Sequence, residues 1–87
     1  MRLDLPQDVG AALRRARKER HLTQAQVAEA VGVSRDWVNR VERGRAPRAE
    51  LHLLLRCMDA VGLALFADKA PDPIDVREVL AAGPDLP

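Results

Sequence analysis

The sequence predicts an all-α domain of four to five helices, followed by one short C-terminal strand that a second copy of the chain completes. Three observations predict it. Aromatic residues make up 2% of the 87 residues, only Trp37 and Phe66, so Ala, Leu and Val must build the core, which favours close-packed helices. Apolar residues recur at helical spacing in successive stretches, punctuated by glycines where helices end. One apolar run, "LALFA" at 63–67, is too short for a helix and is bounded by Gly62 and Asp68.

Taken in order, residues 7–20 place Val9, Leu13 and Ala16 on one stripe, broadened by Ala12, with Arg and Lys on the other side. Thr23 is a good N-cap for a second helix over about 24–30 that buries Val27 and Ala28, with Val31 beyond it. Gly32 ends it in a turn that calls for positive φ. Ser34 caps a third helix, about 35–43, with Val38 and Val41 inward and Gly44 as its terminator. "RAPR" connects to a fourth helix within 49–62, with Leu51, Leu54, Leu55 and Met58 on one stripe. The strand over 63–67 follows. Residues 1–69 thus form the domain, and 70–87 form a Pro-rich tail. In that tail Asp72 as N-cap, Pro73 at the first position and Gly83 as terminator suit one short helix.

Charge is unevenly placed. Residues 14–48 carry ten Lys/Arg against four acids, a net +6, whereas 49–87 carry three against seven, a net −4. A basic middle suits a polyanion on one face. The single cysteine rules out an internal disulfide framework and fits a reducing compartment. No apolar run approaches the roughly 20 residues of a membrane span, and "MRLDLPQD" lacks a signal-peptide core, so the expected location is the cytoplasm. Cys57 lies in the apolar fourth helix as a small core residue. His52 and Cys57, five apart, point about 140° apart on a helix and make no metal pair, and His21 has no partner at ligand spacing. No nucleophile–base pair or phosphate-cradling loop occurs, so neither an enzyme nor a cofactor is expected.

Two short helices joined by a tight Gly turn cross steeply, which lets the second project from the domain. Its outer face carries Arg35, Asp36, Asn39 and Arg40, and a helix of that kind fits the major groove of DNA. Arg35 and Arg40 can donate bidentately to guanine or contact phosphate alone. Asn39 can read adenine or act through a water. Asp36, repelled by phosphate, either accepts from cytosine or orients Arg35 or Arg40. Trp37 reads as a half-buried wedge against the fourth helix, its indole N–H facing the DNA backbone. Ser34, Arg43, Arg45 and Arg48 flank the recognition helix as backbone contacts, with Arg14 or Arg15 as further candidates.

The stretch "LTQAQVAEAVGVSRDWVNRVERGR" resembles the helix-turn-helix of the Xre/lambda-repressor-like family, over about residues 8–62. The resemblance rests on Thr23-Gln24, Ala28, Gly32, Val38 and the ending Glu42…Gly44. It implies that Gln24 touches phosphate and braces the first reading residue, Arg35, and that Arg17 pairs with Glu42. The chain with "VGLALFADKA" also resembles HipB-type antitoxins. That implies a strand paired with its copy in a homodimer through Leu63, Ala64, Leu65 and Phe66, and a HipA-like serine/threonine kinase toxin as partner. The tail after Lys69 matches no such pattern. The expected function is a DNA-binding repressor acting as a dimer on a palindromic operator. The alternatives are a module that mainly sequesters a toxin enzyme, or an Xre-type regulator with no toxin.

Overall fold

Pro6 opens the first helix because its ring presets φ and its missing N–H falls where a helix has no acceptor for one. The computed structural model, which describes residues 3–71 and 74–81, contains α1 (Pro6–Glu19), α2 (Gln24–Val31), α3 (Arg35–Glu42), α4 (Leu51–Ala60) and α5 (Val76–Ala81). Asp8 secures the start of α1, its Oδ2 accepting from the backbone N–H of Leu5 at 3.0 Å and of Asp4 at 3.2 Å. A reciprocal cap starts α2: Gln26 N–H donates to Thr23 Oγ1 at 3.0 Å, and Thr23 N–H donates to Gln26 Oε1 at 2.8 Å. Gly32, at φ 85°, ends it. A Cβ there would meet nothing within 4 Å, so the backbone conformation alone demands glycine. Ser34 Oγ then accepts from Trp37 N–H at 3.0 Å and begins α3.

Helix α3 packs against both α1 and α2, and α2 also meets α4. The α1–α3 contact is close enough to exclude any side chain at Gly10. A Cβ there would sit 2.7 Å from the carbonyl oxygen of Glu42 and closer still to that of Val41. A mid-helix glycine costs about 1 kcal/mol relative to alanine, and this approach is the reason it is tolerated. The core joins Leu13 and Ala16, Val27, Ala28 and Val31, Val38 and Val41, and Cys57, Met58 and Val61. Between Leu13, Val27, Trp37, Val38, Cys57 and Val61 only about 10 Å³ stays open, no more than a single water needs.

Three features differ from the sequence expectation. In α4, Met58 is buried and Leu54 half-buried as expected, but Leu51 is 66% exposed and Leu55 faces solvent as well. The inward face runs instead through Leu54, Cys57, Met58 and Val61. Four leucines within 51–55 cover more than half the helix circumference, so periodicity could not choose between overlapping stripes.

The segment 63–67 forms no strand in the single chain. Leu63 N–H closes the end of α4 on Met58 O at 2.7 Å, and its side chain packs on the core. Leu65 and Phe66 are 55% and 88% exposed. A lone extended segment has no neighbour to complete its ladder.

Helix α5 begins later than expected. Asp75 caps it, its Oδ1 accepting from Arg77 N–H at 2.9 Å, whereas the expected Asp72 cap, Pro73 and the Gly83 terminator lie outside the described residues. Ile74, Val76, Val79 and Leu80 are all exposed.

Candidate nucleic-acid interface

Arg17, late in α1, and Glu42, closing α3, are the two buried charged residues among the described residues. Arg17 Nε donates to Glu42 Oε2 at 2.7 Å and Nη2 donates to Oε1 at 2.9 Å, while Nη1 reaches Leu22 O at 2.8 Å. Each hydrogen-bonding nitrogen of the guanidinium thus has an acceptor, the condition for burying such a pair without a stranded charge. The hydrogen bond to Glu42 raises the Arg17 pKa above its ordinary value, overcoming the opposing effect of burial, with the Glu42 charge adding to the rise. The bridge ties the end of α3 to α1, which fixes how far α3 stands out from the body.

On the exposed side of α3, Asp36 and Arg40 pair one turn apart, Arg40 Nε donating to Asp36 Oδ2 at 3.0 Å. That contact engages Nε and leaves both terminal nitrogens of Arg40 without a hydrogen bond to another described residue. Arg35 is exposed and makes no ion pair with another described residue. Asn39 is half-buried one turn beyond it, and Gln24 Nε2 donates to Asn39 Oδ1 at 3.3 Å and to Glu42 Oε1 at 3.1 Å. The brace expected between Gln24 and Arg35 is therefore made to Asn39 instead. Gln24 opens α2 opposite the second half of α3, and Arg35 lies about 6 Å further along the axis at 1.5 Å per residue.

Around the helix, Arg14, Arg43 and Arg45 line a polar cleft of about 600 Å³ with Arg17, Gln24, Asn39 and Glu42. Arg43, Arg45 and Arg48 are exposed and make no ion pair with another described residue. Ser34 accepts from the backbone of Trp37 and keeps its own hydroxyl proton. Trp37 is half-buried between two environments. One face joins Leu13, Val38, Cys57 and Val61, and the other lines a shallow cleft with Arg40, Arg45, Arg48 and Leu53. Arg15 lines a separate shallow cleft on α1 with Ala11, Arg14, Lys18 and Glu19, so Arg14 borders both clefts.

Burial pushes the Cys57 thiol up to about 11; the charge of Glu42 adds to the rise and that of Arg56 opposes it. A buried neutral thiol at that value is a packing residue rather than a nucleophile. No group of three or more metal-ligating side chains occurs among the described residues, and no described helix is long and apolar enough to cross a membrane.

The sequence reading missed Gly10, whose only signal was a glycine inside a periodic helix, and it missed the Gln24–Asn39 contact, which carries no local signal.

A tight turn, a helix held out by a buried bridge, and unpaired guanidiniums on and around it define a DNA-binding regulator of the helix-turn-helix class. A family model described as a helix-turn-helix domain matches residues 8–65, and the chain belongs to that family, in its Xre/lambda-repressor type. No curated protein matches the chain at a significant level.

Proposed function

We propose that the chain is a sequence-specific DNA-binding repressor, that it acts as a homodimer on a palindromic operator, and that it is the autoregulating antitoxin of a HipA-like kinase toxin. The observation that carries the DNA reading is the Asp36–Arg40 pair at 3.0 Å. A guanidinium held through Nε presents its two terminal nitrogens as a fork, the shape that matches guanine O6 and N7 in the major groove. Arg35 and Asn39 share the exposed side of the same helix, and Ser34, Trp37, Arg43, Arg45 and Arg48 border it as backbone contacts.

The dimer is supported by apolar surface that the single chain leaves open. Leu65 and Phe66 stand exposed, as do Leu51 and Leu55 of α4. Pairing 63–66 with its copy about a two-fold axis covers these residues and completes the ladder of each segment. Leu63, Ala64, Leu65 and Phe66 form that contact, and each fully buried Leu or Phe contributes about 1.5–3 kcal/mol. Two α3 helices related by the axis then meet half-sites about 34–36 Å apart. The kinase partner rests on the resemblance of "VGLALFADKA". The exposed apolar residues of α5, Val76, Val79 and Leu80, favour a second reading in which protein sequestration is the main task.

Selection from a random duplex library, followed by footprinting, tests the proposal. A protected palindrome is expected from the wild type, and Leu65→Asp should sediment as a monomer with weakened operator binding. A single half-site bound by a monomer contradicts the dimer, and failure to select any sequence contradicts the DNA reading.

A further inference from the structure

Helix α5 and the shallow cleft beside the recognition helix have matching chemistry. α5 buries none of its residues. Val76, Val79 and Leu80 stand at i, i+3 and i+4 on one stripe, and all three are exposed. Asp75 lies about 100° to one side of Val76 around the helix, and Arg77 about 100° to the other. The cleft holds about 420 Å³ over Trp37, Pro47 and Leu53, with Arg40, Arg45 and Arg48 around it. Glu50 is the acid that lines it, 3.4 Å from His52. An apolar floor with cations and an anion at its edge thus faces no partner, and α5 carries an apolar stripe flanked by one charge of each sign.

Resting on the DNA reading above, we infer that α5 docks in the Trp37 cleft of its own chain and shields arginines that DNA also uses. Val76, Val79 and Leu80 cover Trp37 and Leu53, Asp75 meets the arginines, and Arg77 meets Glu50. The tether permits this. Leu53 lies in the first turn of α4, about 15 Å along the helix axis from Leu63 at 1.5 Å per residue. Residues 67–75 can span about 30 Å, even with 63–66 paired to a second copy. Such a tether holds α5 at an effective concentration on the order of 1 mM, so a weak contact suffices. Charge favours the approach as well. Residues 68–87 carry five acids against two cations, which draws the segment toward the basic side of the domain. The form with α5 free binds DNA, and DNA displaces α5 because both need Arg45 and Arg48. α5 acts as a strap that lowers DNA affinity.

Trp37 is the only tryptophan and the chain has no tyrosine, so its emission reads the cleft directly and without DNA. The test compares the full-length wild type with the full-length double variant Val79→Asn/Leu80→Asn, which removes the stripe and keeps the net charge. Neither residue belongs to the core, so the domain stays folded. In the double variant acrylamide should quench Trp37 more strongly, and its emission should shift to longer wavelength. On a random-sequence duplex the double variant should bind about 3- to 10-fold tighter, the ratio for a closed fraction of about two-thirds to nine-tenths. Both differences should hold at every protein concentration. Equal quenching in the two proteins overturns the inference, as does equal DNA affinity where both bind. Shielding that fades on dilution overturns docking within one chain and makes a second copy the occupant. Shielding lost in the double variant while neither protein binds DNA supports the docking and removes the DNA reading.

Discussion

Glu42 and Arg17 meet through two parallel hydrogen bonds at 2.7 and 2.9 Å, with only 4% and 10% of their side chains exposed. The pair lies 25 residues apart in sequence and joins the last turn of the recognition helix to α1. Glu42→Gln leaves the Arg17 charge buried with a neutral partner, and removing one member of such a pair typically costs about 3–5 kcal/mol. Exposed Glu29→Gln should change stability by about 0.5 kcal/mol or less. Denaturant melts of the two variants separate these values, and equal small losses would show that the bridge contributes no more than a surface pair.

Three helices end in the same hydrogen-bond pattern, and one of them uses an unusual residue for it. Gly44 and Gly62 adopt φ 70° and 78° after α3 and α4, while His21 adopts φ 56° after α1. Leu22 N–H bonds Arg17 O at 3.1 Å and His21 N–H bonds Lys18 O at 3.0 Å, as glycine-terminated helices do. A left-handed L residue costs about 1–2 kcal/mol, and glycine returns part of this through chain entropy. His21→Gly should therefore raise stability by about 0.5–1 kcal/mol in thermal or denaturant melts. A loss of stability would mean that the imidazole makes a compensating interaction.

Cys57 gives the fold a dependence on alkaline pH. Its folded value of about 11 lies above the ordinary 9.0, chiefly through burial, so folding favours the neutral thiol. The unfolded chain then releases this proton first as pH rises. The contribution is whole below pH 9 and fades as pH climbs through 11, by an amount on the order of 2 kcal/mol. Wild type should exceed Cys57→Ala in stability at pH 8, and the gap should narrow by pH 10.5. A constant gap across that range would place the folded value near that of a free thiol.

The capped helices were legible in the sequence because their rules are local. Thr23, Ser34 and Gly32 each announce a boundary through residues within a few positions, and α2 and α3 start where those signals stand. The polar side of α3 was legible for the same reason, since Arg35, Asp36, Asn39 and Arg40 alternate with the buried Val38 and Val41 on a helix of known phase. What depended on distant neighbours was not legible. The partner of Gln24 is decided by how far α2 slides along α3, and the need for Gly10 by carbonyls some thirty residues away. The exposed side of α4 was hidden by an excess of leucine, and the apolar run 63–67 has the composition of a strand although it forms none in the single chain.

The claim that α3 reads bases is tested most directly by comparing Arg40→Ala with Arg45→Ala on the selected operator, across single-base-pair variants and salt concentrations. Arg40→Ala should lose about 1–3 kcal/mol at one guanine position and bind all four bases there alike. Arg45→Ala should weaken every sequence equally and reduce the salt slope by about 1. A uniform loss from Arg40→Ala, indistinguishable from that of Arg45→Ala, would contradict base reading by this helix.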